Sequence, residues 1–158
     1  MKLLSFAFVM LIGFISTSSV QAQPATTAPS EETAVKKAIE DETQGFMTRN
    51  EQRWSNAWVH APYISWSSER GPFQLLGWEN IHQAFAYNFV SGQPDRPTVS
   101  FQQDNFKVSV LDKTATATFI QLSKNADGKL LGKSNEVRVL EKQGNDWKMI
   151  YVYSRTIN

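Results

Sequence analysis

Along the last third of the chain, apolar residues fall on alternate positions. Between residues 134 and 142, Val137 and Val139 point to one face and Glu136, Arg138 and Leu140 to the other. Between residues 147 and 155, Trp147, Met149, Tyr151 and Tyr153 share one face, with Ile150 and Val152 opposite. The intervening Gln143-Gly144-Asn145-Asp146 is rich in turn formers, so the pattern predicts a β-hairpin. Both faces carry large apolar residues, which places this hairpin at the centre of a sheet covered on both sides. An arginine in such a strand is costly unless it is paired or opens on a polar cavity. Arg138 is therefore the first residue to explain.

Upstream the period changes. Ser30 is a helix cap followed by Glu31 and Glu32, and Val35, Ala38, Ile39 and Phe46 then form one stripe at helical spacing, with Gly45 inside it. Residues 51–58 read as a second short helix carrying Trp54 and Trp58, closed by Ala61-Pro62. A short strand over 63–67, a turn at 69–72, a second short strand over 73–76 and a third helix from Trp78 to about Phe89 follow. After a loop at 91–97 the pattern becomes β and stays so: Phe106, Val108 and Val110 alternate. Turns at 111–113 and 125–128 then separate strands over 114–122 and about 130–142. Helices with a small hairpin, then four consecutive antiparallel strands, give an α+β order. A long sheet curling over the first helix buries both stripes and leaves a pocket between them.

Residues 1–22 read as an export signal: Lys2, an apolar run from Leu3 to Ile15, and the small-residue site Val20-Gln21-Ala22, with cleavage expected between Ala22 and Gln23. The apolar run is short for a bilayer span, so no membrane association is expected after cleavage, and the mature chain is expected in the periplasm or secreted. Residues 23–29, rich in Pro, Ala and Thr, are expected to form a flexible linker, and residues 30–158 a single domain. Loss of Lys2 with the signal brings the formal charge from +1 to zero. That balance provides no broad field for nucleic acid. With no cysteine in the chain, disulfide, haem-attachment and thiolate–zinc chemistry are excluded. Five Trp, ten Phe and four Tyr are enough for a core and for the aromatic wall of a small-molecule pocket.

Trp54 to Trp58, Gly77-Trp78-Glu79-Asn80-Ile81, residues 136–142 and Trp147-Lys148-Met149-Ile150, in this order after a capped helix, resemble the nuclear transport factor 2-like superfamily. That group includes ketosteroid isomerase and the SnoaL-like proteins. The likeness covers nearly all of residues 31–155, and the last hairpin looks most like the association domain of calcium/calmodulin-dependent protein kinase. The resemblance implies a cone: N-terminal helices packed in a strongly curved antiparallel sheet, a cavity between them, and dimers or larger assemblies through the outer sheet face. It says little about function, because this fold hosts enzymes, binders and assembly domains alike.

Arg138 matches a pocket-lining arginine of the kinase association domain, where the resemblance implies binding of small carboxylates by the guanidinium fork. The alternative is an internal ion pair with Glu136, Glu79 or Asp104, or an interface pair. Trp54, Trp58, Tyr63, Trp66 and Phe73 cluster around the first short hairpin, either as core or as a pocket wall. His60 sits at the helix-to-strand corner, a candidate for the pocket mouth, while His82 reads as a surface residue. The two have no spaced partner and form no metal site. Tyr151 and Tyr153 stand where many small bacterial relatives carry histidines. Tyr151 is a candidate to orient a ligand by its hydroxyl, although tyrosine is a poor base at neutral pH. The carboxylate that ketosteroid isomerase needs on the first short strand is missing from Tyr63-Ile64-Ser65-Trp66-Ser67, and the first helix offers Phe46 but no tyrosine. The reading is an exported binder of a small apolar or carboxylate-bearing ligand, without cofactor or catalysis, dimeric through the outer sheet face. Two alternatives stand beside it: an isomerase, hydrolase or cyclase using Asp104, Glu136 or His60, and an assembly module.

Overall fold

Helix α1, Glu31–Met47, starts where the sequence puts its cap: Ser30 Oγ accepts the Thr33 backbone N–H at 3.2 Å. The structure is a computed structural model and describes residues 30–69, 74–90 and 99–157. The signal (1–22), the linker (23–29), Phe73 and the loop at 91–97 lie outside the described residues. Glu31 ties the start of α1 to the distant C-terminal hairpin by accepting the Trp147 indole N–H at 2.7 Å and the Lys142 ammonium. Along its inner stripe Val35 and Ile39 are fully buried.

Gly45 fixes what comes next. A Cβ there would stand 2.4 Å from the Trp54 backbone nitrogen, so the second helix, α2 (Glu51–Asn56), crosses α1 at a distance only glycine permits. Asn50 caps α2 by accepting the Arg53 N–H at 2.9 Å. The helix ends two residues before the expected Trp58, because the sheet takes the backbone over. Met149 N–H donates to Ala57 O at 2.8 Å, Val59 N–H donates to Met149 O at 3.0 Å, and Trp58 bridges Met149 in parallel.

Strands β1 (Ser65–Ser68) and β2 (Gln74–Leu76) form the small hairpin, followed by α3 (Trp78–Phe85) and a single 3₁₀ turn, Ala86–Asn88, where the sequence predicts unbroken helix. The long strands are β3 (Ser100–Leu111), β4 (Thr114–Lys124), β5 (Leu130–Gln143) and β6 (Asp146–Ile157), in the sheet order β2-β1-β6-β5-β4-β3. The last hairpin is thus central, as expected, although its loop is shorter: Gln143 pairs with Asp146, leaving Gly144 (φ 62°) and Asn145 as a two-residue turn. The sheet is mixed rather than wholly antiparallel. The Trp58 bridge delivers the chain alongside β6 already running in its direction, so β1 pairs with β6 in parallel.

Register shifts interrupt the long strands at three places, one of them at the far end of the β4–β5 pair between Ser123 and Lys124, and such bulges bend strands and re-aim their side chains. In β3 the register shifts between Asp104 and Lys107, with Asn105 at φ 53°. In β6 it passes from Val139↔Tyr151 to Leu140↔Met149 and leaves Ile150 unpaired. This corrects the single apolar face expected for β6. Trp147 and Met149 point into the core, but beyond the bulge it is Val152 and Ser154 that point inward, while Tyr151 and Tyr153 turn out beside Val139 and Val137.

Candidate functional site

Between the inner stripe of α1 and the concave face of the sheet lies a cavity of about 270 Å³. Its wall is aromatic: Phe46 from α1, Trp54 from α2, Trp58, Trp66 from β1, Phe85 from α3 and Phe101 from β3. The rings brace one another, with Phe46 edge-on to Phe85 at 5.6 Å and Trp66 edge-on to Phe85 at 5.1 Å between centroids.

The floor comes from alternate residues of β5 and their neighbours across the sheet. Arg138 lies between Ala117 and Val152, and Glu136 between Phe119 and Ser154. Arg138 Nη1 donates to Glu136 Oε2 at 2.6 Å, and the two side chains are only 6% and 2% exposed. Glu136 also accepts the hydroxyls of Ser154, at 2.7 Å, and of Ser134, so its charge is met by three donors. The guanidinium stands 5.6 Å from the Phe119 ring centre. On residues that line the cavity, two further donors, Arg138 Nε–H and Trp58 Nε1–H, are buried with no acceptor among the described residues, and Gln121 Oε1 is a buried acceptor with no donor among them.

Glu42, on α1, completes the lining. It accepts the Trp54 indole N–H at 3.2 Å. Its residue surface opens partly onto the cavity, yet the surrounding protein excludes enough water to push its pKa above the usual glutamate value. The Arg138 charge and the Trp54 bond oppose the rise, and the Glu136 charge adds to it. Two carboxylates of one cavity thus sit in unlike surroundings, Glu136 saturated with donors and Glu42 among rings.

Of the residues singled out in the sequence, Arg138, Trp54, Trp58 and Trp66 come together here, and Arg138 both lines the cavity and pairs with Glu136. Three others lie elsewhere. Tyr63 is 59% exposed and donates its hydroxyl to Glu141 at 3.0 Å. His60 is on the surface, stacked 4.1 Å from Trp78 and bonded to Ser55 at 3.1 Å, because the chain has already left α2 for the sheet edge. Tyr151 faces away through the bulge at Ile150. Asp104 lies outside the cavity lining and accepts Gln102 Nε2 at 2.6 Å. His82 bonds Glu51 at 2.7 Å and stacks on Trp54. Among the lining residues that sequence reasoning missed, such as Phe101, Gln121 and Ser154, the charged one is Glu42. Its signal was present, since positions 35, 39, 42 and 46 make one helical stripe and Glu42 is the charged member of it.

Known proteins give this architecture a name. No family model matches the chain, and no curated protein does. Solved structures do. A CamKII hub homology domain from Chlamydomonas reinhardtii superposes with a TM-score of 0.68 at 16% identity, covering 82% of this chain and 100% of that one. A protein of unknown function from Pseudomonas putida, described as NTF2-like, gives 0.63 at 14% identity over 78% of this chain and 84% of that one. A ketosteroid isomerase-like protein from Erwinia carotovora gives 0.60 at 13% identity, covering 82% and 98%. The chain has the nuclear transport factor 2-like fold, with helices packed in a curved, mixed six-stranded sheet.

Proposed function

We propose that this is an exported small-molecule-binding protein whose ligand occupies the cavity between α1 and the sheet, with the aromatic rings as wall and Arg138 as polar anchor. The observation that carries this reading is that a buried ion pair, Arg138 with Glu136, lines a ring-walled space instead of being wholly enclosed by packing. Its size, about 270 Å³, suits a molecule of one or two rings. Export by cleavage between Ala22 and Gln23, and a homodimer through the outer sheet face, belong to the same reading.

Thermal denaturation of the purified protein against a library of one- and two-ring metabolites tests it. A true ligand at 100 times its Kd stabilises by about 2.7 kcal/mol and raises Tm by roughly 10 °C. The same ligand leaves Thr43→Phe unmoved, since that ring enters the cavity from α1. A library with no stabilising member overturns the reading. One observation favours a second reading, an isomerase, hydrolase or cyclase: the unlike surroundings of Glu42 and Glu136 resemble those of an acid and a base. Turnover lost in both Glu42→Gln and Glu136→Gln supports that reading, and ligand binding with no turnover removes it.

A further inference from the structure

We infer that the cavity selects an electrically neutral molecule that presents a hydrogen-bond acceptor, such as an amide, lactone or ketone carbonyl, to Trp58 and Arg138. The inference rests on the cavity being a ligand site and decides between the two ligand classes, apolar and carboxylate-bearing, that the sequence leaves open.

The charge balance carries the first half. The Arg138 guanidinium is already engaged through Nη1 by Glu136 at 2.6 Å, and Glu136 is held in place by Ser134 and Ser154. A ligand carboxylate reaching Arg138 meets the charge of Glu136 a few ångströms away, where little water screens it. An ammonium reaching Glu136 meets Arg138 in the same way. A neutral ligand leaves the internal pair intact and meets neither repulsion.

The unpaired donors carry the second half. Arg138 Nε–H and Trp58 Nε1–H are buried, both residues line the cavity, and neither group has an acceptor among the described residues. The fold sets them in neighbouring inward rows of one sheet face: Trp58 bridges Met149, which pairs with Leu140, and Arg138 pairs with Val152 one row further. Adjacent rows are about 7 Å apart along the strand, a separation these long side chains cover. A buried N–H with no partner is a standing loss that an acceptor removes. Glu42 adds to this preference, because burial disfavours charge on this wall of the cavity.

The test uses one ring system with four head groups: 2-naphthamide, 2-naphthoate, 2-naphthylmethylammonium and naphthalene, titrated into the purified protein by calorimetry at pH 7. The amide is expected to bind at least tenfold more tightly than either ion. Trp58→Phe keeps the ring and removes the N–H, so it is expected to weaken the amide about 5- to 10-fold and leave naphthalene unchanged. Glu136→Gln frees the Arg138 charge and is expected to shift preference toward naphthoate. If that variant does not fold, the wild-type ratios and Trp58→Phe still decide. Naphthoate binding as tightly as the amide, or Trp58→Phe weakening amide and naphthalene alike, overturns the inference while leaving a ligand site in place. Binding of none of the four removes the ligand-site reading together with the inference.

Discussion

Glu42 occupies a place on α1 where the stripe of Val35, Ile39 and Phe46 calls for an apolar side chain. Its pKa is raised by burial, so the folded state holds its proton to a higher pH than the unfolded chain does. Between the ordinary glutamate value and the raised one, the native state binds more protons, and stability falls as pH rises through that window. Replacement by Gln keeps the acceptor for the Trp54 indole and removes the ionisation. Thermal denaturation across pH is expected to show Glu42→Gln melting with the wild type below the ordinary glutamate range and increasingly above it as pH rises through the raised value. Parallel curves would show that Glu42 ionises without penalty. Asp41, next along the helix, behaves oppositely. Burial raises its pKa, but the bonds to Lys37 and Arg53 outweigh this and lower it, so its contribution is lost as pH falls through the lowered value.

Among the elements, those whose boundaries are set by local chemistry were legible in the sequence. Ser30 before two glutamates, alternation in β3 to β6, and Gly144-Asn145 between two apolar strands each act within a few residues. What was not legible depends on partners far along the chain. The β6 bulge is silent because Trp147, Met149, Tyr151 and Tyr153 are all large and apolar, so a change of phase at Ile150 leaves the alternation looking unbroken. The change of phase reaches the site, because it turns the candidate Tyr151 outward and brings Ser154 into the cavity lining. The end of α2 was hidden for the same reason, since only the bonds of Ala57 and Val59 to Met149 decide it. Gly45 interrupts the helical stripe in the sequence, and the structure gives it a reason. Within a helix, Gly→Ala ordinarily stabilises by about 1 kcal/mol. Here the added methyl meets the Trp54 backbone, which cannot rotate away. Urea denaturation is expected to show Gly45→Ala destabilised by about 3 kcal/mol, with Gln44→Ala on the exposed side of α1 near neutral. A Gly45→Ala variant as stable as the wild type would mean that α1 and α2 separate freely.

For the whole molecule, the bulge gives the sheet two different faces. Inward rows carry the cavity floor. Outward, Val137, Val139, Tyr151 and Tyr153 form a half-buried apolar patch on the two central strands, flanked by exposed Thr116 and Thr118 of β4. Such a patch suits a twofold interface, in which each residue meets the same surface on the other copy and one substitution counts twice. The homodimer proposed here therefore makes a specific demand. Sedimentation equilibrium is expected to give twice the chain mass for the wild type and the monomer mass for Val137→Glu with Tyr153→Glu, whose four carboxylates crowd one interface. Since both side chains point away from the cavity, the double variant is expected to keep its far-UV dichroism and its wild-type affinity for 2-naphthamide. A wild type that sediments as a monomer removes the dimer and leaves the cavity argument intact. A monomeric variant that also loses the amide would join the two faces of the sheet in one function.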